Sequence, residues 1–237
     1  MTGAAAVLLD FDHTVFDTDR FFWVALRAEL AKAGIDGRLW EETYERVWPG
    51  GYTLMKHLKA VAAAAGVRAS RDAALKGAAL NLLTRAPEWV YPDVAPFLKK
   101  CEKAGMDRYL LTFGAPSWQR QKISASRLQP LFNEVLFAGT EAEKRAWAQR
   151  IAAEAGTLLF VDNDPRFLDE VARIVPSAKT CWISRIPPSL RANGNTAPPD
   201  EYREALTYAT MMPVREHVRI GSLREIRLPK AGGKSKA

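Results

Sequence analysis

Cysteine is nearly absent from this chain: Cys101 and Cys181 are the only two in 237 residues. They lie far apart without metal-ligand spacing, which argues against a disulfide-stapled scaffold or a cysteine metal site. Reduced, buried thiols in a cytoplasmic protein are expected, with a bond between the two left open. No apolar run reaches the length of a membrane span. The N-terminal run meets Asp10 without a cleavage site, so it does not read as a signal peptide. Internal repeats are missing as well. So is a charge excess over most of the chain: the formal net charge is +7, but residues 214–237 carry seven Lys or Arg against Glu216 and Glu225. The last of these residues, 229–237, read as a disordered, solvated basic tail, the alternative being a nucleic-acid arm. With 48% hydrophobic and 26% charged residues the composition is that of a globular protein. The length suits one large domain or a core with an inserted module.

What is present is concentrated at the start. The uncharged run Ala4-Ala5-Ala6-Val7-Leu8-Leu9 leads directly into Asp10-Phe11-Asp12-His13-Thr14. Such a run reads as a buried strand of a parallel sheet, and open α/β sheets bind ligands beyond the carboxyl ends of their strands. Two carboxylates at that place are costly unless a cation, a proton or a reaction occupies them. A metal-assisted active site is the expectation, against the plainer alternative of an acidic turn with a threonine cap.

The following residues predict helices. Asp17 or Thr18 caps one that runs to about Ala33, with Gly34 as its stop and Phe22, Leu26 and Leu30 on one face. Further helices are expected over 37–47, 54–65 and 72–83, the first ending at the turn Trp48-Pro49-Gly50-Gly51. No strand pattern occurs between Asp17 and Val90, so residues 17–91 form an all-helical insertion. Its aromatic residues Trp23, Trp40, Tyr44, Trp48 and Tyr52 read mostly as core. From Pro92 strands over 108–112, 134–138, 157–161 and 179–183 alternate with helices over 93–104, 117–128, 141–155 and 167–174. This alternation predicts a Rossmann-like three-layer α/β core with a parallel sheet, built from 1–16 and 92–228. Residues 187–200 read as a surface excursion, and 214–226 as the return of a final edge element.

Asp10, Asp12, Thr112 and Asp162 all follow apolar strands, so one sheet edge brings them together, and Lys144 near a helix start can join them. Three carboxylates, a hydroxyl and an ammonium suit Mg2+ and phosphoryl transfer. The order of these motifs resembles the haloacid dehalogenase superfamily from about Val7 to Arg185. Its first motif looks like Leu8-Leu9-Asp10-Phe11-Asp12-His13-Thr14-Val15, and its second like Tyr109-Leu110-Leu111-Thr112-Phe113-Gly114. Lys144 best matches the third, and Phe160-Val161-Asp162-Asn163-Asp164 the fourth. Tyr91-Pro92-Asp93-Val94 looks like the return from that superfamily's helical cap.

The resemblance implies an Mg2+-dependent phosphatase. Asp10 would attack phosphorus and form an aspartyl-phosphate. Asp12 would protonate the leaving alkoxide and then deprotonate water. The Asp10 and Asp162 carboxylates and the Asp12 backbone carbonyl would hold Mg2+, while Thr112, Phe113 and Lys144 would bind the phosphoryl group. Dehalogenating members lack the second aspartate, which favours phosphoryl transfer. His13 stands where the superfamily usually has glycine, as a substrate contact or as a tolerated exposed residue. Asn163, Asp164 and Asp169 lie near the fourth motif without a direct ligand role, and Asp164 equally suits a helix cap. Tyr52, Lys56 and His57 are candidate substrate contacts, with Arg20 and Arg85 behind them, and Lys122 reads as solvated. The expected partner is a small phosphorylated metabolite, with neither membrane nor nucleic acid. A phosphomutase of the same superfamily and a non-catalytic, nucleic-acid-binding protein using the tail are the alternatives.

Overall fold

In a computed structural model, residues 5–67, 69–187, 190 and 199–228 are described. The apolar start forms β1 (Ala5–Asp10), the third of six strands in the order β3-β2-β1-β4-β5-β6. The others are β2 (Asp107–Phe113), β3 (Glu134–Ala138), β4 (Thr157–Asp162), β5 (Lys179–Ile183) and β6 (Val218–Ile220). Every pairing is parallel. The lack of polar alternation in β1 has a direct cause. Val7 and Leu9 enter one apolar cluster while Ala6 and Leu8 enter another on the opposite face. The first face packs on α5 (Val94–Lys103) and α6 (Pro116–Ala125), through Val94, Leu98 and Ile123. The second packs on α7 (Glu141–Glu154) and α8 (Pro165–Ile174), through Ala148, Ile151, Leu168 and Val171. The result is a three-layer Rossmann-like α/β fold.

Among the described residues no strand lies between β1 and β2. A helix opens with a π-helical stretch, Arg20–Leu26, and continues as α1 (Arg27–Lys32), stopping before Gly34 at φ 76°. Then come α2 (Gly37–Val47), α3 (Leu54–Ala64) and α4 (Ala69–Thr84). Trp23, Trp40, Leu26, Leu54, Leu58 and Leu75 join these helices in the cluster that also covers Val7 and Leu9. The chain leaves and returns along one path. Asp17 N–H donates to the Trp89 carbonyl at 2.8 Å and Tyr91 N–H to that of Val15 at 3.1 Å.

Arg185, just past β5, fixes that junction. Its guanidinium donates twice to the Thr14 carbonyl (3.1 and 2.7 Å) and twice to the Asp93 carboxylate (2.7 and 3.0 Å). Asp93 also accepts from the Ser222 hydroxyl at 2.6 Å and the Leu223 N–H at 2.8 Å. The expected edge element within 214–226 is β6, which pairs with β5. A helix that the sequence did not announce, α9 (Arg203–Thr210), precedes it. Most of the expected excursion and all of the tail 229–237 lie outside the described residues. No helix among the described residues is long and apolar enough to cross a membrane.

Candidate active site

Parallel pairing sets Asp10 beside Leu111 and Leu9 beside Val161, so β1, β2 and β4 end together. Asp10 and Asp162 close their strands, and Thr112 is one residue from the end of β2. Thr140 caps α7 by accepting the Glu143 N–H at 3.2 Å, which brings Lys144 within the first turn to the strand ends. The Lys144 ammonium donates to Asp10 Oδ1 and to Asp162 Oδ2, both at 2.8 Å, and all three residues are buried. Burial, then the nearby Asp162, push the Asp10 carboxyl up to about 8 despite Lys144. Burial likewise raises Asp162. For Lys144, burial disfavours the ammonium, but Asp10 and Asp162 outweigh it and the pKa rises.

Two carboxylates face one ammonium, and with Asp10 raised to about 8 the second negative charge is held at neutral pH only when a further cation offsets it. Hard oxygen donors in that position fit a divalent cation such as Mg2+. Near the end of the adjoining β2 the Thr112 hydroxyl is buried with no hydrogen-bond partner among the described residues. A buried hydroxyl without a partner fits an oxygen of a bound group. Phe113 follows with an exposed side chain, and its carbonyl accepts from Gln119 at 2.7 Å.

Beyond Asp10 the chain turns away from the sheet, with Val15 and Phe16 N–H groups returning to the Phe11 carbonyl at 3.0 and 3.1 Å. Asp12 is held from three sides. Thr18 Oγ1 donates to Oδ1 at 2.6 Å, Gln119 Nε2 to Oδ2 at 3.0 Å, and the Lys122 ammonium to Oδ1. Burial would raise the Asp12 pKa, but Lys122 and Thr18 outweigh it and hold the group ionised. Lys122 is therefore not solvated as its polar helix suggested; it is 3% exposed. The same face of α6 carries Trp118, whose ring lies 5.6 Å from the ammonium, and that face meets the Asp12 turn.

His13 has a left-handed backbone (φ 57°) and is buried, so the exposed alternative does not hold. Its Nε2 lies 3.4 Å from Glu204 Oε2 and its Nδ1 3.8 Å from Asp19 Oδ2. Burial disfavours the imidazolium, yet Asp19 and Glu204 bring the pKa up to about 9. One ligand atom from each of these three residues falls within 4.8 Å of the others, a spacing also open to a metal ion. Asp19, however, already accepts N–H groups of Glu204 (3.0 and 3.1 Å) and Ala205 (2.9 Å), capping α9. An ion cluster accounts for the arrangement.

A cavity of about 500 Å3 lies at these strand ends, bordered by Phe113 but not by Thr112. Asp10, Asp12, His13, Lys144 and Asp162 line it, and so does Tyr52. Lys56 and His57 do not. The Lys56 ammonium donates to the carbonyls of Gly50 and Gly51 at 3.2 and 3.0 Å, fastening the turn. His57 is buried among the helices, with Nε2 2.9 Å from both Thr43 Oγ1 and the Trp40 carbonyl, and burial lowers its pKa to about 4. Arg20 pairs with Asp17 and Arg85 with Glu88, both on the surface. Asn163 lines the cavity and accepts from Thr14 Oγ1 at 3.4 Å. Asp164 caps α8 through the Arg166 N–H at 2.9 Å. Asp169 instead accepts the N–H groups of Val214 and Arg215, both at 2.7 Å.

Glu204, Tyr208 and Gln119, which line the cavity, and Asp19 went unread in the sequence. Gln119 lies one turn from Lys122 on α6, but that lysine itself read as solvated and gave no signal. Glu204 had none, because its helix follows a Pro- and Asn-rich stretch that breaks every periodic pattern.

Neither a protein-family profile nor a curated protein matches the chain. Solved structures do. A haloacid dehalogenase-like hydrolase from Burkholderia xenovorans is 17% identical, with a TM-score of 0.68 over 95% of this chain and 100% of its own. The L-2-haloacid dehalogenase of Xanthobacter autotrophicus, with chloropropionic acid covalently bound, is 18% identical. It has a TM-score of 0.58 over 93% of this chain and 95% of its own. The magnesium-bound HAD-hydrolase YfnB of Bacillus subtilis is 16% identical, with a TM-score of 0.53 over 79% of this chain and 93% of its own. Together with the strand order and the residues at the strand ends, these likenesses show that the chain has the fold of the haloacid dehalogenase-like hydrolases.

Proposed function

We propose that the protein is a phosphatase that hydrolyses a small phosphorylated metabolite through an aspartyl-phosphate on Asp10, with Mg2+ as cofactor. The observation that carries this reading is Asp12, a second carboxylate two residues beyond the nucleophile, lining the same cavity and held by Lys122, Gln119 and Thr18. Asp10, Asp162 and the Asp12 backbone carbonyl would hold the Mg2+, which supplies charge neutralisation for the approach of an anionic ester. An Asp10 oxygen forms the new bond to phosphorus as the ester oxygen leaves with its electron pair. Thr112 and Lys144 bind phosphoryl oxygens, and the partnerless Thr112 hydroxyl is free to do so. In the second half-reaction Asp12, already ionised, accepts the proton of the attacking water. For departure of an alkoxide it must first take up a proton against the pull of Lys122. Phe22, Tyr44 and Tyr52 from the inserted helices wall the cavity, which favours a small substrate over a polymer. Those helices act as a cap in this reading.

The similar L-2-haloacid dehalogenase favours a second reading, displacement of halide from a haloacid by the same Asp10. Assays of p-nitrophenyl phosphate and of 2-chloropropionate, each with Mg2+ and with excess chelator, separate the two. Phosphate release that needs Mg2+ and disappears in Asp10→Asn is expected. Halide release instead moves the protein to the second reading, and turnover by Asp10→Asn sinks both. Product analysis with a sugar phosphate distinguishes a phosphomutase.

A further inference from the structure

The cavity walls supplied by the helices differ from the strand-end wall in chemistry. Tyr44, Trp48 and Tyr52 line it as a three-ring cluster, with centroids 5.5 Å apart for Tyr44–Trp48, 5.6 Å for Tyr44–Tyr52 and 6.3 Å for Trp48–Tyr52. Trp48 is 54% exposed. A carboxylate adjoins them: Tyr44 Oη donates to Glu204 Oε1 at 3.2 Å, and the Glu204 side chain, 31% exposed, lines the same cavity.

Three of about four acceptor positions on that carboxylate are filled, by Trp23 Nε1 (3.1 Å) and Tyr44 on Oε1 and by His13 on Oε2. Its charge is not matched so fully. His13 can supply one positive charge against the two carboxylates Asp19 and Glu204. Among the described residues, the nearby cations are engaged elsewhere: Lys122 with Asp12, Lys56 with the Gly50 and Gly51 carbonyls, and Arg203 with Glu41. A sugar hydroxyl needs open, directed acceptors, which Glu204 hardly offers. An alkylated ammonium needs only negative charge and aromatic faces.

Resting on the phosphatase reading, we propose that Tyr44, Trp48, Tyr52 and Glu204 form a subsite for an alkylammonium group. The substrate is then a phosphate monoester of an alkylated amino alcohol.

Calorimetric titration of the full chain with choline and with its uncharged isostere 3,3-dimethylbutan-1-ol tests the subsite without any turnover. Choline is expected to bind at least tenfold more tightly. Glu204→Gln and Trp48→Ala are each expected to weaken choline binding at least fivefold, and the exposed Trp48 gives a variant whose folding is not at issue. Equal or tighter binding of the neutral alcohol overturns the proposal, as does choline binding unchanged in both variants. Hydrolysis of phosphocholine and 3,3-dimethylbutyl phosphate is then compared by kcat/KM. Selective choline binding with no hydrolysis of either ester upholds the subsite and overturns the phosphatase reading. Equal hydrolysis of the two esters without choline preference does the reverse.

Discussion

His13 combines a strained backbone with a rewarded side chain. Its φ of 57° lies in the left-handed region, which costs a non-glycine residue on the order of 1 kcal/mol. The ring between Asp19 and Glu204 outweighs this, because breaking a buried ion pair costs about 3–5 kcal/mol. His13→Gly is therefore expected to lower stability by about 2 kcal/mol despite relaxing the backbone. Urea midpoints check this, and a glycine variant as stable as the parent would show the ion cluster to be idle. Asp12 makes a kinetic prediction. In Asp12→Asn the loss in the rate of aspartyl-phosphate formation should be small for p-nitrophenyl phosphate, whose leaving group needs no proton, and at least ~10²-fold for an alkyl phosphate, while hydrolysis of the intermediate slows for both. Equal losses in single-turnover measurements would remove Asp12 from that role. The motif residues were legible because strand, turn and carboxylate spacing are local. Lys122 was not, since a lysine in a polar helix shows nothing of the carboxylate it meets more than a hundred residues away.

At the scale of elements, α9 depends on a residue far from it in sequence. Asp19 is fully buried; its Oδ2 takes the N–H groups of Glu204 and Ala205, and its Oδ1 shares that of Glu204. Removing such a cap costs about 0.5–2 kcal/mol. Asp19→Ala should speed amide hydrogen exchange across 203–210 while β1 and β4 stay protected; unchanged exchange there would mean that packing of Ala205 and Ala209 alone holds the helix. The central strands were legible because the layers cover both sheet faces, so residues 5–9 in β1 and 158–161 in β4 read as unbroken apolar runs. The first helix was legible from Phe22, Leu26 and Leu30, but its π-helical stretch was not. That stretch sets Trp23 toward Glu204 and Phe22 toward the cavity, and no local propensity encodes it. α9 was missed because its eight residues, Arg203-Glu204-Ala205-Leu206-Thr207-Tyr208-Ala209-Thr210, bury only the small Ala205 and Ala209, follow a Pro- and Asn-rich stretch, and are capped from far away in sequence.

Across the whole molecule, Asp93 and Arg185 join the turn after β1, the return from the inserted helices, the end of β5 and the turn after β6 at Ser222 and Leu223. Burial would raise the Asp93 pKa, but Arg185 and then Ser222 and the Leu223 N–H hold it below 3.8. A depressed carboxyl pKa stabilises the fold above its unfolded value and loses that effect as pH falls through the folded one. Asp93→Asn is expected to cost about 3 kcal/mol at pH 7. Its stability gap to the parent should narrow on acidification below pH 3.8. Urea titrations at neutral pH and in acid check this, and a gap independent of pH would assign the cost to packing. The strand order has a consequence for synthesis. β1 leaves the ribosome before both of its neighbours, Asp107–Phe113 and Thr157–Asp162, so the central strand waits for its second partner until Thr157–Asp162 has been made. A nascent chain halted before Thr157 carries an apolar strand with an open edge, and such an edge recruits other chains. Truncations within β4 should therefore collect as aggregates, and the sheet should form only once the ribosome has passed it.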